Sequence, residues 1–496
     1  MVVLATLFAC LTNASAAPAR TRLSVQSPTT LHFDQTCTPG RRAVIAAVGD
    51  LLFHDALQAQ AFKPGASFRQ FWGPVAGVLV GADITYGNLE SPIANGVKAG
   101  GIATKDPGRT LDRVVYGRKS DALIFNTHPS VAADLKASGF TLVSTANNHA
   151  ADRGALGIDR TLEALASAGL AATGTRRKAG AATPWHTRTS ASGLSVAWLA
   201  CTFDLNGMPD RHNQVLQCYR DKHIVLDEVR ALAVDPTVDA VIVTPHWGEE
   251  NSHSALPREK ALAREMIDAG ATAILGAHPH VLQPWEKIIA RDGREALTVY
   301  SLGNFISNQP GDAQRTGVIA LLELTKPVGE QARLSAAGFV PTFVDMSRGH
   351  RVTELTPGAK AHAPVTRLLP VGNRVAARAM RDLPRDCRPS PPVVVASADA
   401  FSISAPAPNA VTTPSLRTSR SEGGARGSRS DRDRSAVRRS ALCARMDRCW
   451  SKRLSLSTAS SRDGRGVGTF VATASVPDSH CVGYCRSRAR NTGTAR

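Results

Sequence analysis

Ala43-Val44-Ile45-Ala46-Ala47-Val48-Gly49-Asp50 is an unbroken apolar run that stops on glycine and sets a carboxylate just beyond it. A short run with no polar alternation is the pattern of a strand buried on both faces. The pattern returns downstream, separated by helical periods. Residues 141–145, 196–201, 240–244, 272–275, 297–302 and 318–324 read as strands. Residues 131–138, 157–168, 224–232 and 258–269 have helical spacing, with Ile158, Leu162 and Leu165 on one face of the second. This alternation predicts an α/β fold around a strongly buried sheet. Hydrophobic residues make up 43% of the chain but aromatics only 5%, so the core must rest mainly on Ala, Val, Leu and Ile.

The two ends read differently. The chain opens MVVLATLFACLTNASAAPAR, and its apolar run is too short to span a bilayer. Ala14-Ser15-Ala16 then gives a small-x-small cleavage pattern, so residues 1–16 are expected to be a secretory signal peptide. That places the protein in the periplasm, the cell envelope or outside the cell. A lipoprotein at Cys10, with membrane attachment, is the less favoured reading, because Leu7-Phe8-Ala9-Cys10 puts Phe in the lipid-attachment box. Residues 17–40 read as a polar linker, 41–350 as the main domain and 351–390 as its extension. Residues 391–496 lose all periodicity and become rich in Ser, Arg, Ala, Thr and Pro, which predicts a disordered basic tail. The tail carries +11 of the net charge of +18, so no nucleic-acid partner is expected for the main domain. Of nine cysteines, Cys37, Cys201, Cys218 and Cys387 lie between the signal and the tail. Export permits disulfides, and Cys201 with Cys218 is the nearest pair; four unpaired thiols are the alternative. The spacings of Cys443, Cys449, Cys481 and Cys485 match no common zinc finger.

Five segments carry metal-capable side chains. They are AVGDLLFH with Asp50 and His54, DITYGNLESP with Asn88 and Glu90, STANNHAADRG with Asn147, Asn148, His149 and Asp152, VTPHWGEE with His246 and Glu249, and ILGAHPHV with His278 and His280. Singly, each is weak: an Asp after a strand is usually a turn or cap residue, and a lone His is more often structural than a ligand. Together they follow apolar strands, and the carboxyl ends of strands are where ligands gather in α/β sheets. Imidazoles mixed with carboxylates suit Zn²⁺, Fe or Mn²⁺ better than Ca²⁺. Asn304 in SLGNFIS could line the same cleft or serve as a turn residue. Trp247 reads as packing before substrate stacking. Asp152 and Arg153 either meet substrate or cap the helix that follows.

In order, these motifs resemble the calcineurin-like metallophosphoesterases. More closely, GDLLFH, GNLESP, FNTHP, ANNHAAD-x-G, PHWG, GAHPHV and YSLGNFIS resemble the CapA-type capsule and poly-γ-glutamate synthesis family. The resemblance implies a four-layer α/β/β/α sandwich and a two-metal site of divalent transition metals. It implies Asp50 on the first metal, Glu90 bridging, Asn148 and His246 on the second, and His278 and His280 completing the pair. His149 would protonate or stabilise the leaving oxygen, beside Asp50 in the catalytic set, and Asn88 and Asn304 would face substrate. The usual D-x-H is absent, since Leu52 stands at its third position, and His54 is the candidate replacement. Glu90 is one methylene longer than the usual bridging Asp. The function implied is a metal-dependent envelope protein of capsule or poly-γ-glutamate synthesis or export, with phosphoesterase-like chemistry. Its partners would be an anionic polymer or phosphoester and an envelope polymer-synthesis complex. The rival readings are a hydrolase unrelated to capsule and a non-catalytic component that binds metal or polymer.

Overall fold

A computed structural model describes residues 29–34, 36–118, 123–178 and 183–384. The expected signal peptide and tail lie outside the described residues. Strands and helices are numbered in chain order. One sheet runs β16 (Arg351–Glu354), β15 (Arg333–Asp345), β14 (Thr316–Lys326), β1 (Arg41–Leu51), β2 (Ile84–Leu89), β5 (Leu142–Ser144), β6 (Ala171–Thr173), and β13 (Asn304–Ile306) also pairs with β1. The second runs β11 (Trp285–Ile289), β12 (Glu295–Val299), β10 (Ala273–Leu275), β9 (Ala240–His246), β8 (Leu194–Thr202), β7 (Thr187–Ala191). A small hairpin, β3 (Val97–Lys98) and β4 (Ile102–Ala103), stands apart from both.

Alternation along the apolar strands builds the layers. On β1, Ala43, Ile45 and Ala47 face the second sheet, while Val44, Ala46 and Val48 face helices. On β9, Ala240 and Ile242 point between the sheets, and Val241 and Val243 point outward. Tyr86 of β2 stacks on Trp198 of β8 across the inter-sheet layer, with ring centroids 5.4 Å apart. The outer face of the first sheet is covered by α1 (Asp55–Ala61), α2 (Ala76–Gly81), α3 (Ser130–Ala137) and α4 (Gly154–Ser167), through Leu57, Leu79, Leu135 and Leu165. The second is covered by α5 (Lys222–Val234) and α6 (Pro257–Ala269), through Val225, Val229, Leu262 and Met266. Each such side chain, fully buried, contributes roughly 1.5–3 kcal/mol. The order helix, sheet, sheet, helix is the α/β/β/α sandwich that the resemblance implied.

The domain begins before the boundary at residue 41 read from the sequence, and residues past 350 extend it. Leu31 and Phe33 are buried in the inter-sheet core, so the described end of the expected 17–40 linker is part of the domain. They were hidden because two apolar residues in a polar stretch form no period. Beyond residue 350, β16 adds an edge strand, and α7 (Ala363–Leu368) sends Val365 and Leu368 into the same core. Asn373 ties the two ends together: its side chain accepts from Leu31 N at 2.7 Å and donates to Leu31 O at 3.0 Å. Cys201 and Cys218 form a disulfide, as the nearest-pair reading anticipated, and Cys37 is also disulfide-bonded. No helix among the described residues is long and apolar enough to cross a membrane.

Candidate metal centre

Strands β1, β2, β5 and β6 are mutually parallel, as are β8, β9, β10 and β12. Their carboxyl ends deliver residues far apart in sequence to one rim. Asp50 sits near the end of β1, Glu90 follows β2, Asn148 and His149 follow β5, His246 ends β9, and His278 and His280 follow β10. Gly49 makes the first placement achievable: a Cβ there would lie 1.8 Å from Gly303 O, and that carbonyl accepts the Asp50 N–H at 3.1 Å. His278 and His280 adopt φ of 100° and 60°. Non-glycine residues avoid that left-handed region, and such strain is typically retained where it aims functional side chains.

Two triads meet at one carboxylate. Asp50, Glu90 and His280 form one group, and Glu90, His246 and His278 the other; the ligand atoms within each lie within 4.8 Å of one another. Glu90 Oε1 is 3.6 Å from His246 Nε2 and 3.8 Å from His280 Nε2. His280 Nδ1 lies 3.1 Å from Asp50 Oδ2 and 3.0 Å from Asn304 Oδ1. Both neighbours are acceptors, so that nitrogen carries the proton. Asn88 Nδ2 donates to Asp50 Oδ1 at 2.8 Å and lies 3.1 Å from His246 Nδ1. Asn148 Oδ1 lies 2.9 Å from His246 Nε2.

The electrostatics are those of a site built for cations. Burial and then Asp50 push the Glu90 carboxyl well above the carboxylate range. Burial would lower His280, but Glu90 and Asp50 outweigh it and raise the imidazole to about 10. Burial, followed by His280, lowers His278 to about 3, and burial with the charges of His278 and His280 holds His246 well below its usual value. Both Glu90 oxygens and His278 Nδ1 are buried without a hydrogen-bond partner. Orphaned buried polar atoms are costly, at about 1–3 kcal/mol or more for each group, and a divalent cation would satisfy both Glu90 oxygens. The donor set, imidazole with carboxylate, fits divalent transition metals. When bound, such a pair supplies an activated water and charge stabilisation for in-line displacement at phosphorus.

The neighbouring groups arrange the proton chemistry. His149 Nδ1 lies 2.9 Å from Asp152 Oδ2, and the Phe125 N–H donates to the same oxygen at 2.6 Å. Asp152 therefore fixes the proton on Nδ1 and leaves Nε2 as the atom that takes up or gives a proton. The Phe125 ring backs His149 at 4.6 Å, and Phe203 backs His278 at 4.5 Å. Asn147 Nδ2 donates to Leu89 O at 2.8 Å and its Oδ1 accepts the His149 N–H at 3.2 Å, which locks the two loops together.

Every expected ligand except one converges here. His54 belongs to neither triad; its Nδ1 accepts the Asn308 N–H at 3.2 Å. Asn88 and Asn304, expected to face substrate, are each about 1% exposed and are spent on holding Asp50, His246 and His280. Trp247 packs, with its indole N–H donating to Tyr300 O at 3.1 Å. Arg153 stands at the N-cap of α4, where its carbonyl accepts the Gly157 N–H at 3.0 Å, but its side chain makes no cap bond; the buried guanidinium donates to Val115 O and Gly117 O. Phe203 was not anticipated, because nothing in the sequence around it marks it; Phe125 was marked only as the first residue of FNTHP.

The family model "Bacterial capsule synthesis protein PGA_cap" matches residues 44–309. "Capsule biosynthesis protein CapA" of Bacillus anthracis is 27% identical over 272 residues, covering 54% of this chain and 60% of that protein. "PGA biosynthesis protein CapA" of Bacillus subtilis is 27% identical over 282 residues, covering 56% of this chain and 67% of that one. The chain thus spans about three fifths to two thirds of the length of these relatives. Among solved structures, the Haemophilus influenzae NAD nucleotidase covers 65% of this chain and 55% of its own, at 12% identity and a TM-score of 0.35. With both triads inside a match that takes in more than half of its residues, the chain belongs to the bacterial capsule synthesis (PGA_cap) family.

Proposed function

We propose that this protein is a metal-dependent hydrolase of the cell envelope, acting in the synthesis or export of a capsule or poly-γ-glutamate-like polymer. One observation carries the reading: a single buried carboxylate, Glu90, belongs to both triads and has no other partner on either oxygen. A shared carboxylate suits a dinuclear centre, and His149, hydrogen-bonded to Asp152, lies within electrostatic reach of His246 and His278. Asp50, Glu90, Asn148, His246, His278 and His280 would hold Mn, Fe or Zn, and His149 would serve the leaving oxygen. The substrate class is a phosphoester or an anionic polymer. The names of the relatives support the capsule context.

The test uses the full chain, purified and loaded in turn with Mn²⁺, Fe²⁺ and Zn²⁺. Two metals per chain and turnover of p-nitrophenyl or bis-p-nitrophenyl phosphate are expected, with turnover lost in His149→Ala. Two metals with no turnover of any phosphoester or polymer would favour the non-catalytic binding reading. A folded protein that takes up none of these ions would refute the site.

A further inference from the structure

His54 was the candidate replacement for the missing D-x-H ligand, and the hydrogen bonds around it give it a different task. Gln60 Nε2, on α1, donates to Ala56 O at 3.0 Å, so its amide orientation is fixed by a carbonyl. The same Nε2 lies 3.1 Å from His350 Nδ1, which must then accept. His350 Nε2 therefore carries the proton and donates to Asn308 Oδ1 at 2.6 Å. Asn308 in turn gives its backbone N–H to His54 Nδ1 at 3.2 Å. A backbone N–H cannot be flipped into an acceptor, so His54 Nδ1 holds a lone pair and the only ring proton sits on Nε2. In that tautomer a metal-ligating role is closed, since a neutral Nε2–H has no lone pair to give.

The residue also lines an open cleft. His54 lines a cleft of about 560 Å³ together with Leu111, Arg113, Arg118, Asn308 and Pro310. Its ring packs edge-on against Phe125, the residue that backs His149. Asp55, the acid of this cleft, is already held by Arg113 Nε at 3.1 Å and by the Arg118 N–H at 2.7 Å. Among the described residues, that leaves the Arg118 side chain as positive charge at an exposed position.

We propose that His54 is a neutral hydrogen-bond donor to an oxyanion of the substrate, in the cleft that it lines, and is not a metal ligand. The contacts Gln60–His350 and His350–Asn308 steady the Asn308 segment, and the Asn308 backbone N–H leaves the ring proton of His54 on Nε2. The ligand chemistry is a phosphate or carboxylate oxygen of an anionic chain, with Arg118 supplying the countercharge. This rests on the reading of the site as one for anionic substrates.

The test compares full-length wild type, His54→Ala and His54→Gln, each checked for folding by circular dichroism. Metals per chain are counted by elemental analysis. Dissociation constants are measured by calorimetry for inorganic phosphate and for a glutamate pentamer, which report phosphoryl and carboxylate groups separately. The His54 tautomer is read by ¹⁵N NMR in chelator-treated wild type. The expected result is an Nε2–H tautomer, unchanged metal content, and binding of one or both anions weakened roughly 10- to 100-fold in His54→Ala, the range for a hydrogen bond to a charged group. His54→Gln should recover most of that loss, because an amide offers the same acceptor to Asn308 and the same donor to the cleft. Loss of a metal in both variants, an Nδ1–H tautomer, or unchanged affinity for both anions would overturn the proposal. Absence of hydrolysis in wild type would sink the hydrolase reading while leaving these three readouts intact.

Discussion

Glu90→Gln separates the bridging role from simple packing, because glutamine keeps the shape and removes the charge. In the metal-free protein the carboxyl is fully buried, and burial and Asp50 both work against its ionisation. A group whose folded pKa is raised costs stability as pH climbs above the unfolded carboxylate value and through the folded one. The chelator-treated variant should therefore melt at or above the wild-type temperature at pH 7. With metal, the order reverses. At a free-ion concentration one hundred times the dissociation constant, each site adds about 2.7 kcal/mol, so two sites add roughly 5 kcal/mol. At the ~2 °C per kcal/mol expected of a large domain, wild type should gain about 10 °C on loading. Because Glu90 belongs to both triads, the variant should lose most of the gain from both sites. Differential scanning calorimetry with Mn²⁺ and with chelator, alongside elemental analysis, reads all of this. A Glu90→Gln protein that keeps two metals and the full 10 °C shift (about the wild-type value) would refute the shared-carboxylate argument.

His149→Ala should keep its metals and lose turnover by about 10²- to 10⁴-fold, the usual worth of a positioned acid–base group, with elemental analysis and steady-state kinetics as the check. Chelator-treated protein should lose stability as pH falls from 6.5 toward 4: His54 and His278 are held at about 4 and about 3, so the unfolded chain takes up protons that the fold refuses. Melting curves of chelator-treated Glu90→Gln, which lacks the opposing contribution of the raised Glu90 carboxyl, test the sign across that range, and a flat profile would show that burial does not hold these rings neutral. Gly49→Ala should destabilise the domain by about 3 kcal/mol or more and disturb metal uptake, since its Cβ would meet Gly303 O; chemical denaturation gives the number. Removing residues 391–496 should leave melting temperature and metal content unchanged, because that composition buries too little apolar surface to offset chain entropy.

How much of this could be seen in the sequence follows from what each residue depends on. The buried strands were legible because β1, β8, β9 and β14 are built around apolar runs. The α/β class and the rim of ligands followed from them. β15 was not seen, although it is the longest strand, for Ser335, Gly338, Pro341 and Thr342 interrupt its apolar pattern. Leu31 and Phe33 gain their burial from partners hundreds of positions away, which no local window reports. The site residues were legible as types at strand ends, so Asp50, Glu90, His246, His278 and His280 could be grouped. The tasks of Asn88, Asn304 and His54 were not, since these depend on which atom faces which neighbour. Asn88 looks the same in the sequence whether it touches substrate or steadies Asp50.

The two triads draw their side chains from opposite halves of the sandwich. Asp50 and Glu90 come from the first sheet, and His246, His278 and His280 from the second. Neither sheet alone holds a complete coordination sphere. A bound ion would act as a rivet through the inter-sheet layer, under tension whenever the sheets slide or part. Loading must then wait until the halves have docked, and release becomes a gauge of how often they separate. Chelation kinetics of this protein would thus report breathing between the sheets, and a mutation deep in the Tyr86–Trp198 stack could quicken metal loss without touching a ligand.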